Sequence, residues 1–122
     1  MHKPDLKADK ELVAIFGGTF DPPHRGHSHV VYNTIEQFLN ISELLLIPCF
    51  TPPHRALPTA AYDARCAMLN SCFRPFWGLN TAITVSTIES TLSGPSYTVH
   101  TLEALRAIGY PEHTHQFILI LG

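Results

Sequence analysis

Four short runs of β-branched or apolar residues, at 12–16, 44–47, 83–88 and 117–121, are each bounded by Gly, Pro or polar residues and read as strands. Between the first two, Val31, Ile35, Phe38 and Leu39 recur at i, i+4, i+7 and i+8, which predicts an amphipathic helix over 27–39 covering one face of a sheet. The pattern returns over 60–73 with Ala64, Ala67, Met68 and Cys72, and Thr59 stands where an N-cap belongs. A third helix is predicted over 98–108, with Val99, Leu102 and Leu105 in its buried stripe and with Gly109 and Pro111 to stop it. Strands alternating with helices imply right-handed crossovers and a parallel sheet. The expected class is therefore α/β, a Rossmann-like doubly wound parallel sheet, in which ligands settle at the carboxyl ends of the strands where strand order reverses.

The 122 residues suffice for one domain, 1–122, with 1–10 as a polar tail and a modest core drawn from a composition that is 45% hydrophobic. Only 8 Lys and Arg, in a net charge of −2, provide no basic field for a nucleic-acid backbone, so nucleic acid is excluded as a partner. Residues 1–10 lack the apolar core of a signal peptide and no later run reaches transmembrane length, so no membrane association and a cytoplasmic location are expected. Cys49, Cys66 and Cys72 lie among apolar neighbours and read as small core hydrophobes in a reducing compartment rather than as bridges. The Pro-rich stretch 48–58 is a loop within the domain, and Pro52 and Pro53 restrict the backbone just before His54 and Arg55.

Candidate chemistry concentrates in the string Ile15-Phe16-Gly17-Gly18-Thr19-Phe20-Asp21-Pro22-Pro23-His24-Arg25-Gly26-His27. Two adjacent glycines at a strand end let the backbone turn sharply and approach a ligand without a Cβ in the way. If a helix begins near Arg25, His24 and His27 both lie at its N-terminus, where free N–H groups and the helix dipole favour anions. Asp21, followed by proline, is suited to holding the turn through backbone hydrogen bonds. A zinc site needs at least a third ligand, and no Cys-x-x-Cys or His-Glu-x-x-His spacing occurs, so no metal site is assigned. Phosphate binding is the chemistry these residues suit.

The same string resembles the signature of the nucleotidyltransferases whose motif reads His-x-Gly-His, and within them the bacterial nicotinate-nucleotide adenylyltransferase family. Two further blocks are similar to that family: Ile47-Pro48-Cys49-Phe50-Thr51-Pro52-Pro53-His54-Arg55, and the segment from Glu89 through Gly94-Pro95-Ser96-Tyr97-Thr98-Val99-His100-Thr101-Leu102. The resemblance implies transfer of AMP from ATP to nicotinate mononucleotide, giving the dinucleotide and pyrophosphate, with Mg²⁺ delivered on ATP. Matched residue by residue, it implies that His24 and His27 are catalytic and hold the ATP phosphates. Gly17, Gly18, Thr19 and Phe20 would line the mononucleotide pocket through their backbone, Arg55 would clamp phosphate, and Tyr97 and Thr98 would meet the pyridine ring and its carboxylate. His100 stands where the family usually has aspartate. In the family the strand at 117–121 leads into further helices and a Ser/Thr-rich segment with a phosphate-gripping arginine, so the chain is expected to be the N-terminal part of a longer domain, truncated at its C-terminus. Two alternatives stand beside this reading: a sister enzyme such as phosphopantetheine adenylyltransferase, and a nucleotide-binding fragment without turnover. The second and third blocks favour nicotinate.

Overall fold

The computed structural model describes residues 9–38, 40–51, 58–73, 81–95 and 97–120. In chain order it forms β1 (Glu11–Gly18), α1 (Arg25–Gln37), β2 (Ile41–Pro48), α2 (Tyr62–Cys72), β3 (Ala82–Val85), α3 (Thr98–Ile108) and β4 (His115–Ile120), with a 3₁₀ turn at Ile88–Thr91 between β3 and α3. All strand pairs are parallel, and the order across the sheet is β3-β2-β1-β4. The chain walks outward from β1 through β2 to β3, then returns to place β4 on the other flank of β1. That reversal makes the carboxyl ends of β1 and β4 the crevice of a doubly wound sheet, as the alternation of elements predicts.

A central parallel strand is buried on both faces, and β1 shows the consequence residue by residue. Leu12, Ala14 and Phe16 point into one cluster with Val31 and Phe38 of the α1 side and Leu69 of α2, while Val13 and Ile15 point into the other with Leu45, Ile47 and Leu105 of α3. At the amino ends of the strands, Arg106 lies 3.8 Å above the Phe117 ring and donates to the Tyr110 and His115 carbonyls, and the Tyr110 hydroxyl donates to Glu43 at 2.6 Å. Those contacts tie β2, α3 and β4 together at that end of the sheet.

The helices depart from the sequence expectations in instructive ways. On α2, Ala64 and Ala67 are exposed and the buried residues are Arg65 and Leu69, so the helix is turned by one position from the apolar reading. Thr59 is not its cap: the Thr59 and Ala60 N–H groups donate to the Asp21 carboxylate, and the helix opens at Tyr62 behind Ala61. On α3, Val99 is 56% exposed and Thr101 takes the buried place instead, because its hydroxyl has a buried carboxylate to bond. The strand expected over 83–88 ends at Val85, since the Ser86 hydroxyl accepts the Ile88 N–H and starts the 3₁₀ turn. The three cysteines are half-buried rather than core residues, Cys72 sharing a 3.3 Å hydrogen bond with Ser28 across α1 and α2. Leu39, expected on the α1 stripe, lies outside the described residues.

Leu69 is fully enclosed beneath α2, so Leu69→Ala is expected to destabilise the fold by about 2–5 kcal/mol. The exposed Val99→Ala should stay within about 0.5 kcal/mol of the parent. Urea unfolding midpoints of the two variants check the contrast.

Candidate functional site

The site is built on the first turn of α1, directly after β1. His24 is the N-cap, with extended backbone. Its Nδ1 accepts the Gly26 N–H at 3.0 Å, and the His24 N–H donates in return to His27 Nδ1 at 2.9 Å. The two rings consequently stack, with centroids 3.8 Å apart and planes 22° from parallel. A nitrogen that accepts a backbone N–H carries no proton, so each neutral imidazole keeps its hydrogen on Nε2. Burial, reinforced by the neighbouring His24, holds the His27 pKa below its ordinary value, which favours that neutral form at pH 7.

This arrangement also occupies the amides of the first turn. The His27 and Ser28 N–H groups both turn back to the His24 carbonyl, at 3.0 and 3.4 Å, and Gly26 is bonded to the His24 ring. Most first-turn amides that a bare helix end would offer to an anion are therefore satisfied within the turn. The Nε2–H of each ring takes no part in the cap. Gly26 makes the motif possible: a Cβ there would lie 2.8 Å from His24 Cε1 and 2.9 Å from Nδ1, closer than two such atoms can approach.

Around the histidines, the carboxyl ends of β1 and β2 converge. Gly17 is exposed and has room for a Cβ within the fold, the nearest atom being the Ile47 oxygen at 3.8 Å. Its openness toward solvent therefore leaves the backbone accessible. Gly18 is tighter, a Cβ meeting the Phe20 ring at 3.2 Å, and its carbonyl accepts the Cys49 N–H at 2.8 Å. Phe20 adopts φ +52°, and its buried ring stands edge-on to Phe16 and to His27, at centroid distances of 5.4 and 4.8 Å. Asp21, beside a cis Asp21–Pro22 peptide, accepts the Ala60 and Thr59 N–H groups, and those bonds hold its carboxyl below the usual range. Rather than closing its own turn, it ties that turn to the entry of α2.

Tyr97 caps α3 and is 41% exposed, its ring edge-on to His100; Thr98 is the first helical residue. Among the described residues no side chain caps this helix start, its own first turn holds no acidic residue, and the carboxylate that approaches it, Glu89, is engaged with the Thr101 hydroxyl. Two residues that sequence reasoning gave no role tie these pieces together. Glu89 accepts the Phe50 N–H at 3.2 Å with one oxygen and the Thr101 hydroxyl at 2.8 Å with the other, joining the end of β2 to the start of α3. Arg65, buried on α2, donates to the Thr19, Cys49 and Ala60 carbonyls. Its signal was spacing: Arg65 stands four before Leu69 and eight before Phe73, on the face that is buried. Arg55 lies outside the described residues. A shallow groove lined by Pro23, Ala67, Met68, Ser71 and Cys72 runs along α2 and includes none of the histidines. No group of three His, Cys, Asp or Glu among the described residues could hold a metal ion, and no described helix is long and apolar enough to cross a membrane.

The profile of the cytidylyltransferase-like family matches residues 15–116, which takes in β1, the histidine turn, α2 and α3. The chain belongs to the cytidylyltransferase-like family. Within it, the chain is 38% identical over 111 residues to a probable nicotinate-nucleotide adenylyltransferase of Hydrogenovibrio crunogenus, covering 91% of this chain and 49% of that protein. It is 40% identical over 111 residues to the protein of the same name from Pseudomonas entomophila, covering 90% and 47% respectively. The fold is that of the Plasmodium falciparum nicotinic acid mononucleotide adenylyltransferase complexed with NaAD, with TM-score 0.71 at 21% identity over 92% of this chain and 52% of that one. The chain thus spans about half the length of the relatives it matches.

In this cytidylyltransferase-like turn, the glycine of His-x-Gly-His is set by the ring above it. At an ordinary helix position Gly→Ala stabilises by up to about 1 kcal/mol. Gly26→Ala is expected to do the reverse, losing about 1 kcal/mol as the His24 cap is displaced. Urea denaturation decides the sign, and a stabilised variant would contradict the steric account.

Proposed function

We propose that the chain carries the nucleotide-transfer half of a nicotinate-nucleotide adenylyltransferase, working in the cytoplasm on ATP and nicotinate mononucleotide. The observation that carries the reading is the stacked His24–His27 pair, with both Nδ1 atoms engaged in capping and both Nε2–H groups left as donors beside the Gly17–Gly18 strand end. The names of the relatives support the acceptor.

In the reaction an oxygen of the mononucleotide phosphate attacks the α-phosphorus of ATP, and the bond to the bridging oxygen of pyrophosphate breaks. The attacking phosphate is already nucleophilic, so the protein's work is alignment and stabilisation of charge growing on the transferred group and the leaving pyrophosphate. His24 and His27 serve as neutral Nε2–H donors to those oxygens, with His27, backed by Phe20 and Phe16, the more rigidly held. Gly17, Gly18, Thr19 and Phe20 border the mononucleotide through backbone, and Arg55 clamps phosphate. Tyr97 and Thr98 take the pyridine ring and its carboxylate. Mg²⁺, bound to ATP, neutralises phosphate charge; both Asp21 oxygens already accept backbone N–H groups, which agrees with a metal held by the nucleotide rather than by a carboxylate cage.

His27→Ala is expected to lower kcat about a hundredfold or more, with a smaller change in KM, as for loss of a preorganised transition-state donor. Steady-state kinetics of pyrophosphate release test this, and a near-normal kcat removes His27 from the mechanism.

The uncapped start of α3 offers N–H donors to a carboxylate. An amide would set its NH₂ against one of them, at about 1–3 kcal/mol, so nicotinate mononucleotide should be preferred over the nicotinamide form by at least about tenfold in kcat/KM. Equal kcat/KM values would reduce this segment to a helix start.

A further inference from the structure

Arg65 heads the fully buried side chains by size, at 1% exposure. A guanidinium taken out of water needs its donors satisfied, and here Nε and Nη1 find backbone carbonyls in three separate segments. One nitrogen, Nη1, donates to the Thr19 carbonyl after β1 and the Cys49 carbonyl after β2, both at 2.8 Å, while Nε donates to the Ala60 carbonyl before α2 at 3.2 Å. The Tyr62 ring lies 5.4 Å from the guanidinium carbon, and Asp21 is near enough to feel the charge. A planar fork of fixed donors can bridge three carbonyls in this way, and an ammonium on a flexible stem cannot.

The Thr19 bond matters because it orients the peptide that leads into Phe20. Across a trans peptide the N–H points opposite the C=O, so turning the Thr19 oxygen to Arg65 aims the Phe20 N–H away from it. Phe20 then sits at φ +52°, a conformation that a bulky residue adopts only when its surroundings impose it. That backbone sends the Phe20 ring beneath the site, 4.8 Å from the His27 ring and edge-on to it.

We propose that Arg65 is a positioning residue for His27. It locks the Thr19–Phe20 peptide, and the Phe20 ring so fixed backs the His27 imidazole and sets the direction of its Nε2–H. What His27 donates to rests on the adenylyl-transfer reading; the chain of contacts from Arg65 to His27 does not.

The test is a double-mutant cycle of Arg65→Lys and His27→Ala, read in kcat and KM for ATP, with circular dichroism and thermal unfolding to show that each variant folds. Arg65→Lys is expected to lower kcat at least about tenfold with KM changed less than about threefold, and to cost less than about twofold further in the His27→Ala background. Losses that multiply through the cycle would make Arg65 a structural residue alone and overturn the proposal. Should Arg65→Lys fail to fold, Phe20→Leu breaks the same link and is expected to give the same non-additivity. Nitrogen-15 shifts of the histidine rings supply a readout without turnover: His27 should report the Nε2–H tautomer in the parent and, with that tautomer kept by the His24 N–H, shifted or broadened ring signals in Arg65→Lys or Phe20→Leu. An unchanged His27 spectrum overturns the proposal, whereas a parent that shows the tautomer but no transfer defeats only the adenylyl-transfer reading.

Discussion

The reciprocal hydrogen bonding between His24 and His27 sets the geometry on which the site depends. A helix must satisfy its leading N–H groups somewhere, and this one does so with imidazole nitrogen rather than with the usual hydroxyl or carboxylate. The choice has two effects at once. It fixes where α1 starts after β1, and it leaves the Nε2 side of each ring outside the cap. Structure and candidate chemistry are served by opposite sides of the same two rings.

The strands at the heart of the sheet were legible because buried parallel strands are apolar on both faces, and 12–16 and 44–47 contain no polar residue to obscure the pattern. The glycine turn and the histidine spacing were legible for a similar reason, each residue type being hard to explain otherwise. The buried face of α2 was not, because apolar periodicity cannot distinguish an arginine whose charge is bonded to three carbonyls from one in water. Thr101 escaped in the same manner: its burial depends on Glu89, which the helix pattern does not contain. At the site, the start of α1 near Arg25 and the pairing of His24 with His27 were legible from spacing, but the reciprocal capping that bonds the first-turn amides was not.

Three charged residues, Arg65 and Glu89 buried and Asp21 part-exposed, act as connectors between loops. Glu89 joins the end of β2 to α3, Asp21 joins the end of β1 to the entry of α2, and Arg65 spans the ends of β1 and β2. Near the carboxyl ends of the strands, Arg65 meets backbone carbonyls, and Glu89 and Asp21 meet backbone N–H groups, which the strand pairing leaves over. The crevice is thereby framed by directional bonds, which specify relative placement more narrowly than dispersion contacts do.

The tautomers of His24 and His27 bear also on which cations the crevice attracts. A soft transition metal binds a neutral imidazole through a bare ring nitrogen, and in both rings the bare nitrogen is already occupied by a backbone N–H. Capturing zinc would require each ring to move its proton and surrender its part of the helix cap. Two histidines stacked in the open would otherwise invite such a metal. The capping pattern therefore disfavours such a metal while leaving the Nε2–H of each ring out of the cap.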